Sequence, residues 1–385
     1  MNTTKYIRIV TLLAGISTIS ISTPIEADWS IMGLGSVYPT ALNDSGQVVG
    51  STSHCDSDDG CGYPFVTGSN GVGMTILGPQ GDSSGNAAGI NNSGQVVGYY
   101  NEEERSHHFI TGSNGVGMTI LDSLDERATS ITGINDSGQV VGYYNDYDGV
   151  HTFITGPNGA GMTDLGIVDR TGNAIVTAIN GSGQATGILN SNAFITTANG
   201  AGVSVFNFPS SYGRDINNSG QVVGWHIPEG AFSSQAFITG PNGASITNLG
   251  TLGGYNSVAV SINDSGEVIG LASTSDSVGL NHSFLFSHDG ITDLSLLSIV
   301  ITAGWSHLNV IDINNNGQIV GYGSNNDGHQ EAFLLSYTPD TVFDPQPIFI
   351  PSPISPIPEP ATYAMLFTGL GLIGFMAWRR RRAAV

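Results

Sequence analysis

Acidic side chains and histidines are concentrated in segments of variable length between a Gly that ends one hydrophobic run and the next Phe. Carboxylate oxygens are the ligands that Ca²⁺ prefers, and His combined with carboxylate binds transition metals. The candidate metal ligands are Asp56, Asp58, Asp59, Asp146 and Asp148. None of these segments completes a calcium-loop consensus, because Gly60 stands where a fifth-position ligand is expected. Solvated acidic loops are therefore the favoured interpretation, no cofactor is expected, and Ca²⁺ is the candidate ion for a metal site.

Aromatic residues follow the same Gly in four of these regions, at Tyr99, Tyr143, Trp225 and Tyr322. Their rings have an apolar body that stacks on sugars when it is exposed and packs between structural units when it is buried. The sequence leaves both roles open, so these four residues are candidate glycan-binding positions with packing as the favoured alternative.

Two cysteines, Cys55 and Cys61, lie in the first of the variable segments. In an oxidising compartment we expect them to form a disulfide. Two isolated thiols cannot make a four-ligand structural zinc site by themselves. The predicted disulfide staples a loop and has no catalytic role.

No catalytic residues are predicted. The sequence contains no G-x-S-x-G, H-E-x-x-H or phosphate-loop motif. Lone candidates such as His226, Glu229 and Asp215 could meet only over a central channel, which the sequence cannot demonstrate. A non-catalytic binding or scaffold module for exopolysaccharide is favoured, and a polysaccharide lyase or hydrolase and a purely structural matrix protein are the alternatives.

One decapeptide, of the form I-N-x-S-G-x-V-x-G with one preceding residue, recurs seven times. Its Asn residues are Asn43, Asn91, Asn135, Asn180, Asn217, Asn263 and Asn314. The spacing of about 45 residues is typical of the four-stranded blades of β-propellers. A repeat of this size therefore organises the fold.

Each repeat contains four predicted strands, a to d. Strand a ends at Ile-Asn, the turn N-x-S-G follows, and strand b contains V-V-G. Strand c is centred on Phe, and an Asn-Gly reversal leads to strand d. No segment shows a sustained 3.6-residue apolar period, so we expect few helices.

The seventh repeat lacks a fourth strand, because no strand pattern follows Phe333, while residues 29–35 match strand d. We predict an all-β, seven-bladed propeller over residues 28–338 that the N-terminal strand closes, with an open β-solenoid as the alternative. Side chains such as Val48, Val49, Ile90, Val97 and Phe109 should pack between neighbouring blades. The a–b and c–d turns share one face, and the variable b–c and d–a connections share the other, where binding is expected.

The charge distribution excludes nucleic-acid binding. The chain has 385 residues and a net charge of −21. Only four of its ten basic residues lie within residues 28–357, which carry a charge of about −25. Affinity for phosphate backbones depends on Lys and Arg, so no nucleic-acid partner is expected.

The two ends of the chain are predicted targeting segments. Residues 1–27 have a basic start and a short apolar run, and indicate a secretory signal peptide, with an uncleaved anchor as the alternative. Residues 339–357 are Pro-rich and predict a semi-rigid linker. Residues 361–378 are uncharged and long enough to span a membrane as a helix.

The C-terminal segment as a whole, residues 358–385, resembles the PEP-CTERM sorting signal of Gram-negative bacteria that secrete polysaccharide. The residues that carry the likeness are Pro358, Glu359 and Pro360 before the apolar run and Arg379, Arg380, Arg381 and Arg382 after it. The resemblance implies an exosortase as a partner, export across the inner membrane, transient anchoring by the helix, and release to the cell surface or beyond.

The repeats resemble the HAF family of extracellular repeat proteins. The likeness rests on the repeated I-N-x-S-G-x-V-x-G, the downstream x-A-F-[IL] segments and the stretch LGTLGGYNSVAVSIND at residues 249–264. The His that names the family precedes only some of the Phe residues, as at His151 and His282, so a general role for it is not expected. The family implies an extracellular location and no defined activity.

Overall fold

The computed structural model describes residues 28–338 apart from 53–61, 80–83, 103–104, 122–127, 148, 170–173, 209, 276–278 and 280–281. This part of the chain forms seven antiparallel sheets of four strands each. The predicted seven-bladed propeller is confirmed. The predicted signal peptide, linker and C-terminal helix lie outside the described residues.

The first four blades take their strands in chain order from the inside outwards. Blade 1 contains β2 (Tyr38–Leu42), β3 (Val48–Ser51), β4 (Pro64–Thr67) and β5 (Met74–Ile76). Blade 2 contains β6 (Ser84–Ile90), β7 (Val96–Glu102), β8 (Arg105–Thr111) and β9 (Met118–Ile120). Blade 3 contains β10 (Ala128–Ile134), β11 (Val140–Asp146), β12 (Gly149–Thr155) and β13 (Met162–Asp169). Blade 4 contains β14 (Ile175–Ile179), β15 (Ala185–Leu189), β16 (Asn192–Thr196) and β17 (Val203–Val205).

The last three blades complete the ring. Blade 5 contains β18 (Ser211–Ile216), β19 (Val222–His226), β20 (Gln235–Thr239) and β21 (Ile246–Gly250). Blade 6 contains β22 (Gly253–Ile262), β23 (Val268–Thr274), β24 (His282–Ser287) and β25 (Gly290–Asp293). Blade 7 contains β26 (Ser306–Ile313), β27 (Gln318–Ser324), β28 (Gln330–Thr338) and, on its outside, β1 (Asp28–Gly35).

The N-terminal strand closes the ring as predicted. It runs antiparallel to β28, with Trp29 opposite Tyr337 and Gly33 opposite Phe333. The rings of Trp29 and Tyr337 stack at 4.9 Å between centroids. Blade 7 is therefore made from both ends of the described chain, and β1 covers the outer edge of β28.

The last Gly of each repeat motif is required by the packing of the first two strands. A β-bulge interrupts the pairing of strands a and b in every blade, for example between Ile131 and Gly133 in blade 3. Opposite this bulge, a Cβ added to Gly142 would overlap the carbonyl oxygen of Ser130 and lie 2.9 Å from the Phe153 ring. Only Gly fits where the backbones approach so closely.

The hydrophobic core lies between blades. One Phe of each strand c is fully buried: Phe65, Phe109, Phe153, Phe194, Phe237, Phe284 and Phe333. Phe109 of blade 2 belongs to the same buried cluster as Val49 and Val66 of blade 1. The predicted packing of the V-V-G valines between blades is confirmed, because a single thin sheet cannot bury its own faces.

Helix is scarce among the described residues. The five-residue α1 (Ser298–Thr302) connects blade 6 to blade 7, and its Val300 joins Leu294 in the core between those blades. The predicted Asn-Gly reversals between strands c and d are present in blades 1 to 5, whereas blade 6 turns at Asp289-Gly290. In blade 1 both Asn70 (φ 54°) and Gly71 (φ 70°) adopt left-handed backbone conformations. No helix in the described part of the chain is long and apolar enough to cross a membrane.

Candidate functional site

The seven motif Asn side chains form a closed hydrogen-bonded circle around one end of the central channel. Each Nδ2 donates to the backbone carbonyl of the corresponding Asn in the next blade, at 2.9–3.2 Å. In blade 1 the Oδ1 of Asn43 also accepts the N–H groups of Ser45 and Gln47. The motif Asn therefore holds its own turn and joins adjacent blades, and it is buried with its hydrogen bonds satisfied.

The residue after each Asn builds a second, incomplete circle at the mouth of the channel. Three Asn–Asp pairs span neighbouring blades, and in each pair the Asn donates through both its N–H and its Nδ2 to one carboxylate: Asn315 to Asp44, Asn92 to Asp136, and Asn218 to Asp264. The seven blades have seven residues at this position, and three pairs use six of them. The seventh is Gly181, which has no side chain to pair. Each of the three carboxylates accepts hydrogen bonds from amide donors of the neighbouring blade.

The c–d turns lie on this same face, as predicted. The N–H of Asn70 donates to the carbonyl of Ser45 in the a–b turn of its own blade. The motif Gln then reaches the next blade, as when Nε2 of Gln95 donates to Oδ1 of Asn158 at 3.1 Å. The uniform sequence of this face is explained by structure, so the opposite face is the better candidate for binding.

The other end of the channel is lined by the bulged residues of the inner strands, a feature that the sequence did not reveal. They are Thr40, Ala88, Thr132, Thr177, Arg214, Val260 and Ile311. Bulges re-aim side chains, and here they point one residue of each blade into a cavity of about 210 Å³. Hydroxyls of Thr40 and Thr177 bridge to carbonyls of the next blade.

Arg214 is the charged member of this set and lies at the channel wall of blade 5. It is exposed, and its guanidinium carbon lies 5.9 Å from the centre of the Tyr212 ring. Tyr212 in turn stacks on Trp225, with centroids 6.0 Å apart and an interplanar angle of 6°. Blade 5 therefore carries a cation and two stacked rings on its two innermost strands.

Two further aromatic residues near this part of blades 5 and 6 are exposed. Phe232 in the b–c connection of blade 5 is 100% exposed, and Tyr255 near the start of β22 is 70% exposed. Nε2 of Gln235, at the start of β20, donates to the carbonyl of Tyr255 at 2.9 Å and joins blades 5 and 6 at this point. We call Tyr212, Arg214, Trp225, Phe232 and Tyr255 the blade 5 aromatic sector.

The other predicted glycan-binding residues belong to other blades. Tyr99, Tyr143 and Tyr322 occupy the position of Trp225 in blades 2, 3 and 7, and each is half-buried. Tyr322 lies 6.5 Å from the ring of Tyr38 in blade 1, so it packs across a blade boundary. Burial raises the pKa of Tyr99. Of the four candidates, Trp225 stacks on Tyr212, and Tyr143 has the fully exposed Tyr147 in the b–c connection of its own blade.

Asp146 belongs to an ion-pair cluster on blade 3. His151 lies between two carboxylates, with Nε2 2.9 Å from Asp146 and Nδ1 2.9 Å from Asp164, and its ring stacks on Tyr144. Burial lowers the pKa of His151, but the hydrogen bonds and charges of the two carboxylates outweigh it and raise the pKa overall. The cluster therefore favours the charged form of the His151 imidazole.

The remaining predicted ligands lie outside the described residues, namely Asp56, Asp58, Asp59 and Asp148, together with Cys55 and Cys61. Within the described ranges, no group of three or more His, Cys, Asp and Glu side chains is arranged to hold a metal ion. The metal site and the disulfide stay predictions.

Of the three lone catalytic candidates, only Asp215 lies on the channel wall. Nε2 of His226 is hydrogen-bonded to Asn248 at 2.8 Å, and the ring contacts Phe208 and Phe237. Glu229 lies in the b–c connection of blade 5, after β19. Their positions give no catalytic constellation around a common point.

Comparison with known sequences identifies the C-terminal segment. Residues 356–382 match the PEP-CTERM protein-sorting motif. The sorting prediction is thereby confirmed, and the motif implies an exported protein that an exosortase processes. No curated protein matches the chain.

Comparison with solved structures shows the fold of the ring. The chain is similar to a structure titled "YCF48 bound to D1 peptide", with a TM-score of 0.52 and 13% identity over 81% of this chain and 97% of that one. It is also similar to the propeller domain of the trilobed protease of Pyrococcus furiosus, with a TM-score of 0.51 and 10% identity over 83% and 99%. An oligogalacturonate lyase in complex with manganese gives a TM-score of 0.50 and 10% identity over 82% and 97%. At these identities the likeness concerns the fold alone.

Proposed function

We propose that the ring is a non-catalytic binding module that holds extracellular polysaccharide on its b–c and d–a face. The observation that carries this proposal is the blade 5 aromatic sector. In it a stacked Tyr212–Trp225 pair, the exposed Arg214 beside the Tyr212 ring, and the exposed rings of Phe232 and Tyr255 belong to strands and connections at that face. Exposed apolar surface in variable connections is typical of interaction sites.

The chemistry of the sector suits a sugar chain. Flat aromatic faces pack on the C–H faces of pyranose rings, and a guanidinium donates to hydroxyl or carboxylate oxygens. Because residues 28–357 carry a charge of about −25, a strongly anionic polymer would be repelled except where Arg214 faces it. Neutral or sparsely charged polysaccharide is therefore the expected ligand.

The C-terminal sorting signal also supports a role outside the cell. The PEP-CTERM match implies export and exosortase processing. We further propose that residues 1–27 are removed as a signal peptide, that residues 339–357 hold the ring away from a membrane helix at residues 361–378 before processing, and that the repeats belong to the HAF group. A Gram-negative cell surface or matrix is the location that these features support.

The test measures how strongly the full chain, purified in detergent, is retained on immobilised exopolysaccharide from the host. It compares the wild type with single-residue variants. We expect Trp225→Ala and Phe232→Ala each to weaken retention about tenfold, which corresponds to about 1.4 kcal/mol. Val116→Ala is the matched control, because Val116 is a similarly exposed apolar residue, 72% accessible, in a c–d turn of the opposite face.

The outcomes separate three functions. Retention without cleavage, weakened by the sector variants only, supports the binding module. Release of shortened chains would instead indicate a lyase or hydrolase. No retention of any kind would contradict the proposal and leave a structural role in the matrix.

A further inference from the structure

A group of three polar side chains on the channel wall, of which Ser261 is buried and Asp215 and Asp312 are half-buried, has no part in the proposed binding surface. Ser261 of β22 lies between Asp215 of β18 and Asp312 of β26, so that the group spans blades 5, 6 and 7. The hydroxyl oxygen of Ser261 is 2.7 Å from Oδ2 of Asp215 and 2.7 Å from Oδ1 of Asp312. The three residues occupy the same position in consecutive repeats, immediately before Ile-Asn.

The number of protons in this group follows from its geometry. A serine hydroxyl has one proton and can donate to only one of the two carboxyl oxygens. The second 2.7 Å contact needs its own proton, which must come from a carboxyl group that donates to the serine oxygen. Both contacts are satisfied as hydrogen bonds when one of the two carboxyls carries a proton, as in other sites where two carboxyls share a proton.

The group also joins blades through backbone donors. Oδ2 of Asp215 accepts the N–H of Ile262 across the boundary between blades 5 and 6, at 2.9 Å. Oδ2 of Asp312 accepts the N–H of Leu42 at 2.9 Å, and Leu42 belongs to blade 1. The second bond crosses the seam where the last repeat meets the first, so the protonation state of the group affects closure of the ring.

The charged and titratable surroundings are few. Arg214, adjacent to Asp215, lowers the pKa of that carboxyl, but burial is the larger effect and raises it. Burial, followed by the charge of Asp215, raises the pKa of Asp312 to about 7. Histidines and tyrosines of the strands packed against β18, β22 and β26 are engaged elsewhere: His226 with Asn248, His282 with Asp293, His307 with Ser306, and Tyr38 with Tyr322.

We propose that Asp215, Ser261 and Asp312 form a proton-dependent latch that holds blades 5, 6 and 7 to blade 1 at the channel wall. Below neutral pH one carboxyl keeps its proton, the hydroxyl bridges the pair, and the seam is held. Above neutral pH that proton is lost, two half-buried carboxylates face the same hydroxyl, and the blades at the seam are held less tightly. The latch is independent of which ligand the ring binds.

The pH dependence has a definite sign. The folded ring binds this proton more strongly than the unfolded chain does, because the pKa of Asp312 rises from the ordinary 3.8 to about 7. The stabilisation is therefore fully present below about pH 4 and is lost as the pH rises towards 7. Between these pH values, loss of the latch proton should lower the folding equilibrium constant about tenfold for each unit by which the pH rises.

The test measures denaturant unfolding of the full chain in detergent at intervals from pH 4 to pH 8.5, for the wild type and for Asp312→Asn. We expect the ratio of the two folding constants to fall steeply between pH 4 and 7 and to be constant above pH 7.5. Asp327→Asn, in the b–c connection of blade 7, is the matched control and should leave the profile unchanged.

A second variant keeps the test decisive if Asp312→Asn does not fold. Blades 1 and 4 carry Ala41 and Ala178 at the position of the latch, so the triple variant Asp215→Ala, Ser261→Ala, Asp312→Ala fits the channel wall. We expect this variant to fold and to lack the fall in stability between pH 4 and 7. A wild-type profile parallel to that of either variant across this range would overturn the proposal.

Discussion

At the scale of single residues, most of the repeated motif is explained by the hydrogen bonds of its Asn and the close packing of its last Gly. Asn135 accepts from the N–H groups of Ser137 and Gln139 and donates to the carbonyl of Asn180 in the next blade. The turn propensity of N-x-S-G was readable from the sequence, but the bond to the next blade was not, because it joins residues 45 positions apart. Repetition marks these positions as structural in every blade.

The final Gly of the motif carries a testable prediction. Gly142→Ala places a methyl group into the carbonyl of Ser130 and against the Phe153 ring, so β10 and β11 must separate. We expect a loss of about 3 kcal/mol in the free energy of unfolding, measured in denaturant.

The control for this prediction is Gly202→Ala. An added Cβ there lies 3.6 Å from the nearest atom, a side-chain oxygen of Thr197, so we expect a change within about 0.5 kcal/mol. Equal effects of the two substitutions would show that loss of glycine flexibility, and not the close approach, governs the motif.

At the scale of elements, the way blade 7 is built explains why one repeat has Glu267 where the motif has Gln. Gln95, Gln139, Gln184 and Gln318 each reach an Asn in the c–d turn of the following blade. Blade 7 has no c–d turn, because its outer strand is β1. The preceding repeat carries Glu267 in place of Gln, and its Oε1 accepts the hydroxyl of Tyr337 at the end of β28.

This contact predicts a specific coupling at the seam. Tyr337→Phe removes the hydroxyl while leaving the ring that stacks on Trp29, so we expect a loss of about 1.5 kcal/mol in stability. In a double-mutant cycle with Glu267→Gln, the coupling energy should be about 1 kcal/mol. Tyr255→Phe, at an exposed tyrosine, should have no measurable effect, and a coupling near zero would contradict the assigned role of Glu267.

At the scale of the whole molecule, closure by the N-terminal strand replaces the last strand of the seventh repeat. The strand covers β28, and Trp29 and Ile31 pack on the core that contains Phe333. An uncovered β28 would offer free backbone donors and acceptors to other molecules.

Deletion of residues 28–35 should therefore open the ring. We expect the deleted chain to lose the single cooperative unfolding transition and to form oligomers that grow with concentration, measured by thermal unfolding and light scattering. As a control, Met32→Ala changes an exposed side chain within the same strand and should leave the protein as the wild type. A monomeric deletion variant with wild-type unfolding would show that β1 is dispensable for closure.

The sequence by itself determined the number of blades, their four-strand composition, the closure by the first strand and the sorting signal. These features are local or periodic, so turn residues, strand patterns and a terminal motif were enough to specify them. The tertiary structure decided which side chains meet. The bulge that aims Arg214 into the channel, the hydroxyl of Ser261 between two carboxyls, and the pairing of Glu267 with Tyr337 all join residues from different strands or blades. Their chemistry depends on distances that only closing the ring creates.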